Sequence, residues 1–180
     1  LKELILQQIK SELVNGSVKK GHPFRYFTLG TLNQDKPSLR TVVLRKTYPD
    51  LNLLFYTDKR SSKIQQIQNN AHVTALFYHP KKLLQIQIRA KAKVLDNPME
   101  IRQHWNNVSP KAKKDYTTVL PPGIEIENPE NVEYLEDDHH FCMVELIPLE
   151  IEYLRLQRPN HVRMLFNKNG DDWNGTFLNP

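Results

Sequence analysis

LLQIQIRAKAKVL, residues 83–95, alternates without a break. The even positions Leu84, Ile86, Ile88, Ala90, Ala92 and Val94 are apolar, and the odd positions Gln85, Gln87, Arg89, Lys91 and Lys93 are polar. A period of two sends alternate side chains to opposite faces of a β-strand, so one face meets a core and the other something wet. The run is about twice the usual five or six residues of a strand, which predicts one that bends around a barrel.

Working outward, the same period recurs upstream in FRYFTLGTL (24–32), SLRTVVLR (38–45), LNLLFYT (51–57) and HVTALFYH (72–79). The breaks NQDKP and TYPD between the first three carry turn chemistry. Downstream, two strands are expected at about 140–147 and 149–157, followed by HVRMLF (161–166), the turn NKNGDD and a closing WNGTFL. Helical spacing appears in three places. Leu1, Leu4, Ile5, Ile9 and Leu13 mark a helix over 1–14 that Gly16 should stop; a short helix spans about 60–69 and ends at Asn69–Asn70. A third runs over 97–108, capped by Asn97 with Pro98 in its first turn, and Ser109–Pro110 opens a short basic helix after it. Residues 121–138 are acidic, proline-containing and aperiodic, and are expected to form a surface excursion. The sum is one domain over 1–180, mainly β with flanking helices, with an N-terminal helix at about 1–15 and an antiparallel barrel as its body.

Composition narrows the class. Hydrophobic residues are 39% and charged residues 25%, ordinary for a globular protein. The sequence begins at Leu1 without Met, which leaves room for residues upstream; within it neither a leader nor an apolar run near the roughly 20 residues needed to cross a membrane is read. A single cysteine, Cys142, cannot form an intrachain disulfide and is expected to be a core residue; a cytoplasmic location follows as the expectation. The net charge of +5 suits a phosphate-bearing ligand and permits weak nucleic-acid contact, which makes a basic nucleic-acid-binding barrel the remotest of the readings.

Several chemistries have no motif here. GxxxxGK[ST], GxGxxG and HExxH are absent, and His139–His140, read as neighbours on a strand, would face opposite ways, so no metal is expected. Trp105 reads as helix packing. What remains is polar. FYTDKRSSK (55–63) ends a strand and opens a helix with Arg60, Ser61, Ser62 and Lys63. Either Asp58 or Ser61 merely caps a helix among solvated cations, or the hydroxyls, cations and free N–H groups of the helix start hold a phosphate. Arg40 and Arg45 bracket RTVVLR five residues apart, so a regular strand sends them to opposite faces. Gln85, Gln87 and Arg163 are either ligand-facing or solvated rim residues.

RTVVLR (40–45), FYTDKRSSK (55–63) and LLQIQIRAKA (83–92), in this order and spacing, resemble the pyridoxamine 5′-phosphate oxidase-related FMN-binding split barrels. The resemblance extends through HWNNVSPKAKKDY (104–116), the PPG at 121–123 and IEYLRLQRPNHVRMLF (151–166). It implies an antiparallel split β-barrel, FMN as cofactor, and a homodimer with FMN at the subunit interface. It also implies roles. Arg40 would meet the flavin or its phosphate tail, and Val42, Val43, Leu44 and Arg45 would continue the strand along the ring. Tyr56 and Thr57 would end the next strand; Ser61 and Lys63, with Arg60, would grip the phosphate. Gln85 and Arg163 would reach the cofactor.

The chain departs from the oxidase itself at the substrate. The lysine of the oxidase's substrate-phosphate clamp is Arg45 here, its tyrosine falls at His104, its serine near Ala112, and no arginine stands around Val108. Its late Arg-x-His pair reads Pro159-Asn160-His161, and the aromatic beside the flavin reads Leu154. The expectation is a flavin-dependent oxidoreductase on an unidentified small molecule, with His161 the one candidate acid or base. The alternative is a non-catalytic FMN carrier or sensor.

Overall fold

The computed structural model describes residues 1–180. The elements are α1 (Lys2–Val18), β1 (Tyr26–Asn33), β2 (Lys36–Val43), β3 (Lys46–Thr47), β4 (Leu53–Asp58), α2 (Ser62–Asn69), β5 (His72–His79), β6 (Leu84–Leu95), α3 (Pro98–Asn107), α4 (Pro110–Lys113), β7 (Phe141–Arg155), β8 (Val162–Asn169) and β9 (Asp172–Leu178). No helix is long and apolar enough to cross a membrane.

All strand pairs are antiparallel, in the order β2-β1-β5-β6-β7-β4-β3, with β8 and β9 branching from β7. The sheet curls without closing, and β2 keeps one free edge. Along β6 the predicted face is the buried one: Leu84, Ile86, Ile88, Ala90 and Ala92 join a core of 28 residues with Phe27, Phe55, Phe77 and the α1 residues Ile5, Ile9 and Leu13.

Three expectations need correction. The strands expected at 140–147 and 149–157 are one strand, β7, because Arg89 pairs with Glu150 while Ala90 pairs with Pro148, leaving Leu149 as a bulge. The extra residue switches the core-facing parity from Cys142, Val144 and Leu146 to Ile151 and Tyr153, so the same face stays buried across the break. Because β7 starts at Phe141, His139 and His140 precede it rather than share it. Gly16 does not stop α1, which continues to Val18; its role is close approach, since a Cβ there would lie 2.7 Å from the Phe24 Cβ.

β7 organises the rest. One edge pairs with β6 from Met143 to Arg155, with Leu149 bulged out; the other pairs first with β4 over Phe141–Leu146 and then with β8 over Glu150–Arg155. On the far side of the β4–β7 pair, Leu54, Tyr116, Phe141 and Met143 form a second, four-residue core, on which Trp105 and Ile101 of α3 pack. The excursion 121–138 carries one short helical turn and is nowhere buried; it is tied back by the Thr118–Tyr134 bridge.

Candidate functional site

The inward face of β1 and β2 changes from apolar to polar where α2 crosses the end of the barrel. Phe27 and Leu29 give way to Thr31, and Leu44 and Val42 give way to Arg40. Arg40 donates to Thr31 Oγ1 (2.5 Å), Ser38 Oγ (2.8 Å) and Gln66 Oε1 (2.9 Å), and Thr31 Oγ1 also donates to Gln66 (2.6 Å). Gln66 comes from α2 and is buried beside Ile64 and Ile67. Thr31 and Gln66 were missed in the sequence; their signal is a polar residue at an inward-facing position.

Next to this, Lys63 Nζ donates to Thr57 Oγ1 (3.0 Å), which lies 3.2 Å from Ser61 Oγ. Thr57 and Ser61 are both buried. Ser61 is the N-cap of α2, yet its side chain makes no cap hydrogen bond, so the Ser62 and Lys63 N–H groups stay available while the Ile64 N–H bonds Ser61 O (3.0 Å). Burial lowers the Lys63 pKa, and the Arg40 guanidinium lowers it further, against the pull of Asp58. Neither cation has a carboxylate within salt-bridge distance. Two partly buried cations with hydroxyls and helix N–H groups, and no ion-paired carboxylate, fit a phosphate group.

Arg60 does not join them. It grips both Asp58 carboxylate oxygens (3.1 and 2.7 Å) and the carbonyls of Thr118, Val119 and Leu120. Its guanidinium is a strut between the β4–α2 turn and the start of the excursion. Spacing alone could not reveal this, because Asp58 lies two residues back and its partners about sixty residues on.

Beside the free edge of β2, the Leu44 N–H bonds Arg25 O (2.9 Å), so backbone alternation points the Val43 N–H and C=O outward. Val42 and Leu44 are buried in the core. Arg45 lies over the Tyr56 ring at 5.2 Å, with its buried Nε unpartnered. The Tyr56 hydroxyl is 2.6 Å from His104 Nδ1. Burial pushes the phenol up to about 12 and lowers His104, which favours the neutral form of both; with Tyr56 as donor, His104 Nε2 carries the ring proton.

Gln85 and Arg163 lie elsewhere, on the outward face of the sheet, flanking Leu154 across β6, β7 and β8. Arg163 pairs with Glu152 at 2.9 Å. His161 Nδ1 accepts from the Gln157 N–H (3.1 Å). One chain therefore does not bring Gln85, His161 and Arg163 together with Arg40 and Lys63.

Two other groups have no place in this chemistry. The Cys142 thiol is buried and pushed up to about 11, chiefly by burial and then by Asp58, so it stays protonated. Glu12, His22 and His79 approach within 4.8 Å, a metal-like grouping. However, His22 Nδ1 accepts from the Phe24 N–H (3.1 Å) and His79 Nδ1 from the Lys82 N–H (3.4 Å), which leaves the ring protons on Nε2. Lys82 also pairs with Glu12. The cluster is a buried carboxylate neutralised from inside, without the bare Nε2 lone pairs a metal requires.

Comparison with known proteins agrees with this geometry. A putative pyridoxamine 5′-phosphate oxidase of Caenorhabditis elegans is 28% identical over 171 residues, 85% of this chain and 74% of that protein. A pyridoxine/pyridoxamine 5′-phosphate oxidase of a Psychrobacter species is 32% identical, but over 47% of this chain and 38% of the enzyme. Among solved structures, PhzG of Burkholderia lata, in complex with tetrahydrophenazine-1-carboxylic acid, superposes with a TM-score of 0.79 at 21% identity, covering 98% of this chain and 92% of that one. A pyridoxamine 5′-phosphate oxidase-related, FMN binding protein of Nostoc punctiforme gives 0.77 at 23%, covering 97% of both chains. At these identities the two structures speak for the split-barrel fold alone. The family model for the pyridoxamine 5′-phosphate oxidase FMN-binding domain matches residues 2–96, more than half of the sequence and the whole of the phosphate-fitting cluster. The chain belongs to the pyridoxamine 5′-phosphate oxidase FMN-binding domain family, and its cofactor is FMN.

Proposed function

We propose that this protein is a homodimeric, FMN-dependent oxidoreductase acting on a small anionic molecule. The observation that carries the reading is the pair Arg40 and Lys63, both partly buried and without a carboxylate in salt-bridge distance. Arg40, Thr57, Ser61 and Lys63 hold the phosphate, and the outward Val43 backbone groups on the free edge of β2 hydrogen-bond the ring. Gln85 and Arg163 are contributed by the partner subunit, which resolves their separation within one chain. Bound FMN supplies two-electron redox chemistry. Around it, Arg45 and the His104 Nε2–H are donors for an anionic substrate group, with Tyr56 holding the His104 ring. His161 is the candidate proton donor or acceptor from the partner's side.

This site is a poor match to the oxidase's own substrate, because Arg45 alone stands for the phosphate clamp. Two lost charge-assisted contacts at roughly 1.5–3 kcal/mol each lower kcat/KM by roughly a hundredfold to ten-thousandfold. The test follows flavin absorbance in purified, FMN-saturated protein during anaerobic addition of NADPH, NADH or pyridoxamine 5′-phosphate, and then on readmitting oxygen. Bleaching by a nicotinamide donor with slow or no bleaching by pyridoxamine 5′-phosphate is the expected result. Oxidase-like turnover of pyridoxamine 5′-phosphate would refute the substrate assignment. A stably bound flavin inert to every donor supports the carrier reading instead.

A further inference from the structure

One cleft in the molecule belongs to neither the flavin residues nor the Arg45–Tyr56–His104 group. It has a volume of about 690 Å³ and lies where α3 crosses the end of β6 and the start of β7. Ligand pockets span roughly 300–1,000 Å³, so it is of ligand size. Its floor is aromatic. The rings of Trp105 and Phe141 lie 5.4 Å apart, and His139 packs against Trp105 at 4.2 Å. Ile101 supplies an aliphatic wall.

The polar part of the lining is lopsided. Lys59 and Arg102 both border the cleft, both are exposed, and neither side chain has an ion pair or hydrogen bond within the chain. Asp96 is the one carboxylate on the wall, so the cleft carries one uncompensated positive charge. His139 Nδ1 accepts from the Phe141 N–H (3.3 Å), so the neutral ring keeps its proton on Nε2, where it has no partner. Flat rings with cations at the rim favour a flat, singly negative occupant: stacking and burial need a planar apolar body, and Lys59 and Arg102 need an anion.

The geometry points to a second ligand site here, for a planar aromatic carboxylate, separate from the flavin. Its two ends are wired to different parts of the chain. Phe141 touches the Tyr56 ring at 4.8 Å, and Lys59 stands two residues before Ser61 of the phosphate grip.

The test uses FMN-loaded protein and 2-naphthoate as probe, with 2-naphthamide as its uncharged counterpart, followed by calorimetry and tryptophan quenching. One naphthoate should bind per chain without releasing flavin, and at least tenfold more tightly than naphthamide. The double variant Lys59→Gln/Arg102→Gln should weaken naphthoate at least tenfold and leave naphthamide within about twofold. Ile101→Trp, which fills the cleft, should abolish both. The two rim residues are exposed, so retained flavin content and thermal midpoint in the double variant establish that it is folded. Absence of saturable binding, equal affinity for acid and amide, indifference to the rim variants, or binding that displaces FMN would each overturn the assignment. Binding is read independently of turnover, so its failure is distinguishable from failure of the oxidoreductase reading.

Discussion

Lys63 illustrates how far single residues were legible. The motif RSSK left open a plain helix cap or an anion at a helix start, and the structure gives Lys63 a partly buried setting with Arg40 as neighbour and no carboxylate in salt-bridge distance. Replacing Lys63 with alanine should weaken FMN by roughly tenfold to a hundredfold, the worth of one charge-assisted contact of about 1.5–3 kcal/mol, and leave riboflavin nearly unchanged. Titration of both flavins against apoprotein decides it, and equal losses would remove the phosphate from this position. Arg60 points to Asp58 and the 118–120 carbonyls rather than to Lys63: a sequence gives the presence of a guanidinium, and its direction comes from partners far along the chain. Because Arg60 neutralises the buried Asp58, Arg60→Ala should cost stability, on the order of 3 kcal/mol in a urea titration, with FMN affinity within about threefold of wild type. A large loss of FMN with unchanged stability would return Arg60 to the phosphate.

At the scale of elements, regular alternation was readable and its interruption was not. β6 keeps one parity from end to end, so 83–95 could be placed from spacing alone. β7 changes parity at Leu149, next to a proline that cannot donate to the ladder, and a strict period-two reading divides it there. The end of α1 was misplaced because a glycine signals either a helix stop or a close approach, and the neighbour that distinguishes them, Phe24, is known only from the fold. His22, in the turn after α1 and facing Glu12 of that helix, carries a pH dependence. Burial lowers the His22 pKa below its ordinary 6.5, outweighing the Glu12 carboxylate. The native state therefore binds fewer protons than the unfolded state just below that value. This contribution is complete above about pH 6.5 and is lost as pH falls toward the depressed native pKa. Between pH 7.5 and 5.5 the wild-type thermal midpoint should fall further than that of His22→Gln, and parallel curves would exclude the contribution.

For the whole molecule, the outward sheet face is the feature that a monomer leaves unexplained. Leu39, Tyr26 and Tyr78 are 69%, 61% and 50% exposed on it, beside the half-buried Gln85 and Gln87. Exposed large apolar side chains grouped on one face mark association. Sedimentation at micromolar concentration should give about twice the 21.2 kDa chain mass. A monomer that retains stoichiometric FMN would refute the shared site. The barrel was legible because its strands repeat one simple rule. What spacing could not show is that Gln85 and Arg163 stand on the outward face of the sheet, away from the inward-facing Arg40.

The forked pairing of β7 has a consequence for how the protein is made. During synthesis β4 emerges well before Phe141, the start of its main partner, so it must wait with a long edge unsatisfied. β6 waits likewise with the edge that β7 will cover. Waiting edges recruit other chains, and late, distant pairing slows closure. The first half of the chain carries the family signature and the phosphate-fitting residues, yet it is expected not to fold by itself. A chain ending after Leu95 should pellet on centrifugation or bind chaperone, whereas the full chain stays in solution. A dispersed, well-folded NMR spectrum from that fragment would show that the early strands find closure without β7.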